Sequence, residues 1–88
     1  MTPDEALNRA KTFAFQDRIR FTFHGKVEAR NASASPGDVQ QAIQTATLAK
    51  YDTSKKTWRI EGGRDLDGDD LTVVLVLEDD HGRLVTTF

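Results

Sequence analysis

His24 closes the run Arg18-Ile19-Arg20-Phe21-Thr22-Phe23-His24, in which apolar and polar residues alternate. A period of two is the pattern of a half-buried strand. Ile19, Phe21 and Phe23 are therefore expected on a covered face, with Arg18, Arg20, Thr22 and His24 together on the other. A histidine gives and takes protons near neutral pH. Neighbouring guanidiniums hold a phosphate bidentately. Metal-free cleavage of RNA requires that kit: a group to take the 2′-hydroxyl proton, a group to protonate the leaving oxygen, and cations for the charge that builds on phosphorus. The bland alternative is a structural or solvated imidazole.

Other chemistry finds less support. Asp65-Leu66-Asp67-Gly68-Asp69-Asp70 suggests a calcium loop. Placing Gly68 at the sixth position, however, puts Gly63 at the first and Val74 at the twelfth, where oxygen ligands belong. A polar turn built on Asp-Gly explains the segment better. With no cysteine and only His24 and His81, a four-ligand zinc site cannot be assembled from Cys and His. His81, in the Asp79-Asp80-His81-Gly82 turn, is expected to be solvated. Ser33, Ser35 and Ser54 lie in loop or cap contexts, outside any nucleophile-elbow motif. Gly62-Gly63 lacks the spacing of a phosphate loop. No metal and no cofactor is expected.

These residues sit in 88 residues, the size of one domain. The apolar share of 38% and charged share of 30% are those of a globular chain, neither disordered nor fibrous. The longest apolar stretch, Val73 to Leu77, is far below the ~18 residues of a membrane helix. Thr2-Pro3-Asp4-Glu5 carries no basic or apolar leader pattern. The absence of cysteine rules out disulfides and thiolate chemistry. A cytoplasmic location is expected. The net charge of −2 implies no bulk affinity for nucleic acid, but it is unevenly placed. Residues 1–60 carry +4 and residues 61–88 carry −6. A basic face from the first part is one reading, and a mixed solvated surface is the other.

Two helices and a run of strands must position the candidates. Thr2, Pro3 and Glu5 form a helix start, with Leu7, Ala10 and Ala14 at helical spacing, so a helix is expected over about 3–16. Ser35-Pro36-Gly37-Asp38 repeats that start, and Val39, Ala42, Ile43 and Ala46 follow at i, i+3, i+4, i+7, predicting a helix over about 36–47. Gly25 to Ala34 is weakly patterned. Leu48–Asp52, Thr57–Glu61, Leu71–Leu77 and Leu84–Phe88 read as strands, the third covered on both sides or nearly so. The expected fold is α+β: a small, mostly antiparallel sheet with the helices on one face. Leu7, Val39, Ile43, Trp58 and alternate residues of the last hairpin should form the core.

The order of these elements resembles a known family. Phe21-Thr22-Phe23-His24 followed by Ser35-Pro36-Gly37-Asp38-Val39-Gln40-Gln41-Ala42-Ile43 resembles the small bacterial domain-of-unknown-function family numbered 4258. So do Trp58-Arg59-Ile60-Glu61-Gly62, Asp65-Leu66-Asp67-Gly68, Leu71-Thr72-Val73-Val74 and Leu84-Val85-Thr86-Thr87-Phe88. The likeness covers nearly the whole chain. That family is similar to the RelE/BrnT-type toxin fold, whose active members cleave RNA without a metal. The resemblance implies His24, Arg59 and Thr86 as catalytic residues. Arg18, Arg20 and Arg30 are candidates to bind the substrate phosphate, RNA is the implied substrate, and an antitoxin protein is the implied partner.

The chain departs from the family pattern His-Ala-x-x-Arg-x-x-x-Arg-Gly. Glu28 and Ala32 stand at the arginine positions, Gly25 at the alanine and Ser33 at the glycine, while Lys26 and Arg30 are out of register. Each lost transition-state contact costs on the order of 10²–10³ in rate. Two expectations follow. One is a metal-independent endonuclease of the toxin type. The other is a catalytically degenerate member that binds protein or nucleic acid.

Overall fold

In the computed structural model, which describes Met1–Phe88, Thr2 and Ser35 start two helices in the same way. Each hydroxyl accepts the backbone N–H three residues on, and the Glu5 or Asp38 carboxylate accepts the cap residue's own N–H. These capping boxes launch α1 (Pro3–Phe15) and α3 (Pro36–Thr45), as the sequence predicts. Asp38 does more. Its second oxygen accepts the Leu66 N–H at 3.0 Å, tying the loop before the fourth strand to the start of α3. Backbone hydrogen bonds from Ser35 and Leu66, with the Ser35 hydroxyl, hold the Asp38 carboxyl below the usual carboxylate range.

Between the two lies a third helix, α2 (Phe23–Asn31). The alternating run is therefore not one strand. β1 comprises Ile19–Arg20 only, and Phe23 and His24 belong to the first turn of α2, where Thr22 caps the Gly25 N–H. The reason is packing. The buried positions of α2 are Gly25 and Ala29, one turn apart, while Phe23 is 85% exposed and Val27 lies on the surface. A Cβ on Gly25 would lie 2.7 Å from the Leu84 carbonyl oxygen. The helix thus sits against the backbone of the last strand because its inner face is nearly bare.

Helices α1 and α2 both end on a non-glycine residue in the left-handed region, Asp17 (φ 58°) and Ser33 (φ 56°). Arg18 N–H donates to Phe13 C=O and Ala34 N–H to Ala29 C=O, closing each end as a Schellman motif. Glycine takes this backbone without strain. Ser33→Gly is expected to stabilise the protein by about 1 kcal/mol, visible as a thermal midpoint higher by about 4–8 °C. An unchanged midpoint would show that Ser33 carries no strain.

The sheet has five strands in the order β1-β5-β4-β3-β2. β2 is Leu48–Asp52, β3 Thr57–Glu61, β4 Val73–Leu77 and β5 Gly82–Thr87. All pairings are antiparallel except β1 with β5, where Ile19 meets Gly82 and Arg20 meets Arg83. The α+β class holds, with three helices rather than two. Because paired residues point to one side, the register separates the two faces. Trp58, Ile60, Val73, Leu75 and Leu84 point toward the helices and are buried with Val39, Ala42 and Ile43 of α3. Ala6, Ala10, Phe13 and Ala14 make the inner stripe of α1, and Leu7 packs at its edge rather than in the core. β4 begins at Val73, not Leu71, and is covered on one side only: Val74 and Val76 are half-exposed on the other.

Candidate nucleic-acid interface

The side of the sheet away from the core carries the charged residues of β1, β2, β3 and β5, while β4 has none. One row across it runs Lys50, Arg59, Val74, Thr86, and the next runs Asp52, Thr57, Val76, Arg83, Arg20. Asp52, Lys55, Thr57, Arg59, Val74, Val76, Arg83, Val85, Thr86 and Phe88 line a groove of ≈ 390 Å³ on this surface, so one carboxylate stands among its cations. Val85 joins the lining because the β4–β5 register shifts between Val74 and Leu75, inserting an extra residue in β5.

The electrostatics of the groove are mixed. Glu61 lies 3.4 Å from Arg59 and 3.7 Å from Lys50, so one carboxylate serves two cations. Arg83 is 4.0 Å from Glu78. Exposed pairs of this kind contribute roughly 0–1 kcal/mol, so an incoming anion displaces them at little cost. The Arg59 guanidinium also lies 5.0 Å from the centre of the Phe88 ring, which is 55% exposed. A flat guanidinium stacked on an open aromatic ring, among further cations, is an arrangement on which a nucleobase and its phosphate can both dock.

The structure divides the candidates drawn from the sequence. Arg59 and Thr86 share the groove, and Arg20 lies on the same face as the register partner of Arg83. His24 is not among the lining residues. Its side chain is 69% exposed on α2, and its Nε2 lies 3.6 Å from Glu28. Glu28 thus supplies the carboxylate that His24 faces. That same carboxylate accepts the Thr86 hydroxyl at 3.1 Å, so His24 reaches the groove only through Glu28. The expected alignment of His24 with Arg18 and Arg20 on one strand face is lost, because the chain turns into α2 after Phe21. Arg30 lies elsewhere again, with Lys26, Phe21 and Ser33, in a cleft beside the start of α3.

Arg18 and Arg20 instead border a second depression together with Asp17, Ile19, Asp80 and His81. His81 is not the solvated turn residue expected: its side chain is 18% exposed, and its Nδ1 lies 2.7 Å from Asp80. That hydrogen bond is the main cause of an Asp80 carboxyl held below its usual range, with the charges of His81 and Arg20 acting the same way and partial desolvation opposing. The local signal available was the adjacency of Asp80 and His81. What sequence reasoning lacked was the strand order that sets β1 beside β5. No group of three or more His, Asp or Glu side chains is placed to hold a metal ion, and no helix is long and apolar enough to cross a membrane.

Compared with known proteins, the chain matches no family model, no curated protein and no solved structure.

Proposed function

We propose that this chain is an RNA-binding domain of the RelE/BrnT-type fold, which takes a single strand across the open face of its sheet. The observation that carries the reading is the pair Lys50 and Arg59 in one row of that face and Arg83 and Arg20 in the next, beside the exposed Phe88 ring. Single-stranded RNA is bound by stacking unpaired bases on aromatic rings and pairing the backbone with cations. The strands here offer both within one face, and the half-exposed Val74, Val76 and Val85 give a base an apolar floor. The resemblance to family 4258 supports the same substrate. A protein of the antitoxin kind would compete for this face.

Binding, rather than cleavage by His24, is the reading that the Glu28 contact favours. An imidazole facing a carboxylate, with Ala32 and Glu28 where the family has arginine, does not offer a phosphate the cations it needs. The test is fluorescence anisotropy of a labelled single-stranded oligoribonucleotide at several salt concentrations. Saturable binding whose log K falls linearly with log salt, by roughly 0.7 per phosphate contacted, is expected. The absence of binding at low salt would remove the reading.

A further inference from the structure

β2 ends the sheet on one side and leaves one of its two ladders unpaired, whereas the opposite edge, β1, is only two residues long. An open edge accepts another strand, and a lysine at its centre is the usual guard against that. Here Lys50 is followed two residues later by Asp52, on the same open side. Three hydrogen bonds, from the Ser54 hydroxyl and the Ser54 and Lys55 N–H groups, all fall on Asp52 Oδ1. The Ser54 hydroxyl foremost, then the Lys55 N–H, hold this carboxyl below the usual carboxylate range, while its Oδ2 takes no hydrogen bond. Lys50 has only a share in Glu61, which lies nearer to Arg59, at 3.4 Å against 3.7 Å. On the helix side of the same edge Tyr51 is 46% exposed, with its ring centre 4.9 Å from that of Trp58. Together with Met1, Pro3 and Trp58 it lines a hollow of ≈ 410 Å³.

We infer that the β2 edge is a pairing surface for a second copy of this chain, antiparallel and centred on Tyr51. Pleat and charge select this register. Opposed residues of an antiparallel pair point to one side, so a two-fold axis through a residue keeps the helices of both copies on one side of the joined sheet. An axis through Lys50 opposes the two lysines. An axis through Ala49 sets Leu48 against the second copy's Lys50. An axis through Tyr51 sets Lys50 against the second copy's Asp52, and does so twice. Opposite charges directly opposed stabilise an antiparallel pair, and like charges weaken it. The same axis brings the two Tyr51 rings together beneath the strands, where the two hollows meet and cover each other's apolar surface. On the other side, the row that ends in Arg59 and Lys50 runs on into the second copy's Asp52 and Thr57, so the two open faces become one. The pairing covers neither face and rests on nothing in the RNA reading.

Sedimentation equilibrium of the purified chain over about 10 μM to 1 mM measures the association. A monomer–dimer equilibrium is expected. Lys50→Glu should weaken it about tenfold or more, because two opposite-charge pairs become two like-charge pairs. The Lys50 side chain is 67% exposed, so the thermal midpoint of that variant, read by circular dichroism, should move little. Single cysteines report the register, since the chain has none of its own. Tyr51→Cys sets the two new thiols directly opposite, at about 4.5–5.5 Å between Cα atoms and within disulfide reach. Lys50→Cys sets them on a diagonal, at about 7–8 Å and beyond that reach. After mild oxidation, non-reducing electrophoresis should therefore show a crosslinked dimer for Tyr51→Cys and much less of one for Lys50→Cys. A monomer throughout the concentration range overturns the inference. So does crosslinking through Lys50→Cys in preference to Tyr51→Cys, or a dimer whose affinity Lys50→Glu leaves unchanged.

Discussion

If the open face binds RNA as proposed, affinity is expected to fall about a hundredfold when Arg59 and Arg83 are both replaced by alanine, about tenfold for each guanidinium removed. The two arginines sit in neighbouring rows of the open face, one on β3 and one on β5. Each carries its carboxylate partner at the surface, Glu61 and Glu78 respectively. Removing them leaves the core untouched, since both side chains are about half-exposed. The slope of log K against log salt should shrink by roughly 0.7 per lost phosphate contact, which separates a lost ion contact from lost stacking. Phe88→Ala is the converse control, weakening binding with no change in slope. A double variant that binds RNA as well as the parent, with the same salt slope, would show that the strand does not lie on this face.

Gly63→Ala is expected to destabilise the protein more than any surface change. A Cβ at Gly63 would lie 1.8 Å from the Ala42 carbonyl oxygen and 2.7 Å from its carbonyl carbon. These are backbone atoms of α3, which has no spare room, as Val39, Ala42 and Ile43 are all buried beneath it. The neighbouring Arg64 N–H is also fixed by the Thr45 hydroxyl at 2.8 Å, so the segment cannot swing away without losing that bond. Overpacking of this kind costs about 3 kcal/mol, out of a total of roughly 4–13 kcal/mol for a domain of this size. The thermal midpoint should drop by about 12–24 °C, read by circular dichroism. Gly68→Ala serves as the comparison: its φ is +85°, but nothing lies within 4 Å of the added carbon, so only the backbone term of about 1–2 kcal/mol applies. Equal midpoints for the two variants would show that α3 moves aside freely.

What the residues disclose and what they hide follows from range. α1 and α3 were legible because their signals are local: a cap hydroxyl, a proline and an acid within four residues, then apolar spacing. β2, β3 and the last hairpin were legible from alternation and turns. α2 was not, since its pattern is inverted. The side chains it buries are a glycine and an alanine, whereas Phe23 and Val27 face outward, so hydrophobic periodicity pointed to a strand extending past Phe21. The candidate site fared likewise. Arg59 and Thr86, which came from the family resemblance rather than from local spacing, share a groove, whereas alternation matches His24 with Arg18 and Arg20 on a strand that the chain does not form. His81, about sixty residues away from those arginines, is brought to them by the β1–β5 pairing, which no local spacing encodes.

That pairing has a consequence for biosynthesis. Ile19 and Arg20 are made well before their partners Gly82 and Arg83, which lie far along the chain. Contacts so distant in sequence are slow to form and require both segments to be present. A nascent chain on the ribosome can complete α1 and α3, yet the rows of cations and the His81 pocket stay unassembled until residues 82–87 have emerged from the exit tunnel. The open face and the depression beside β1 therefore come into being only after residues 82–87 have been made, however early α1 and β1 are synthesised.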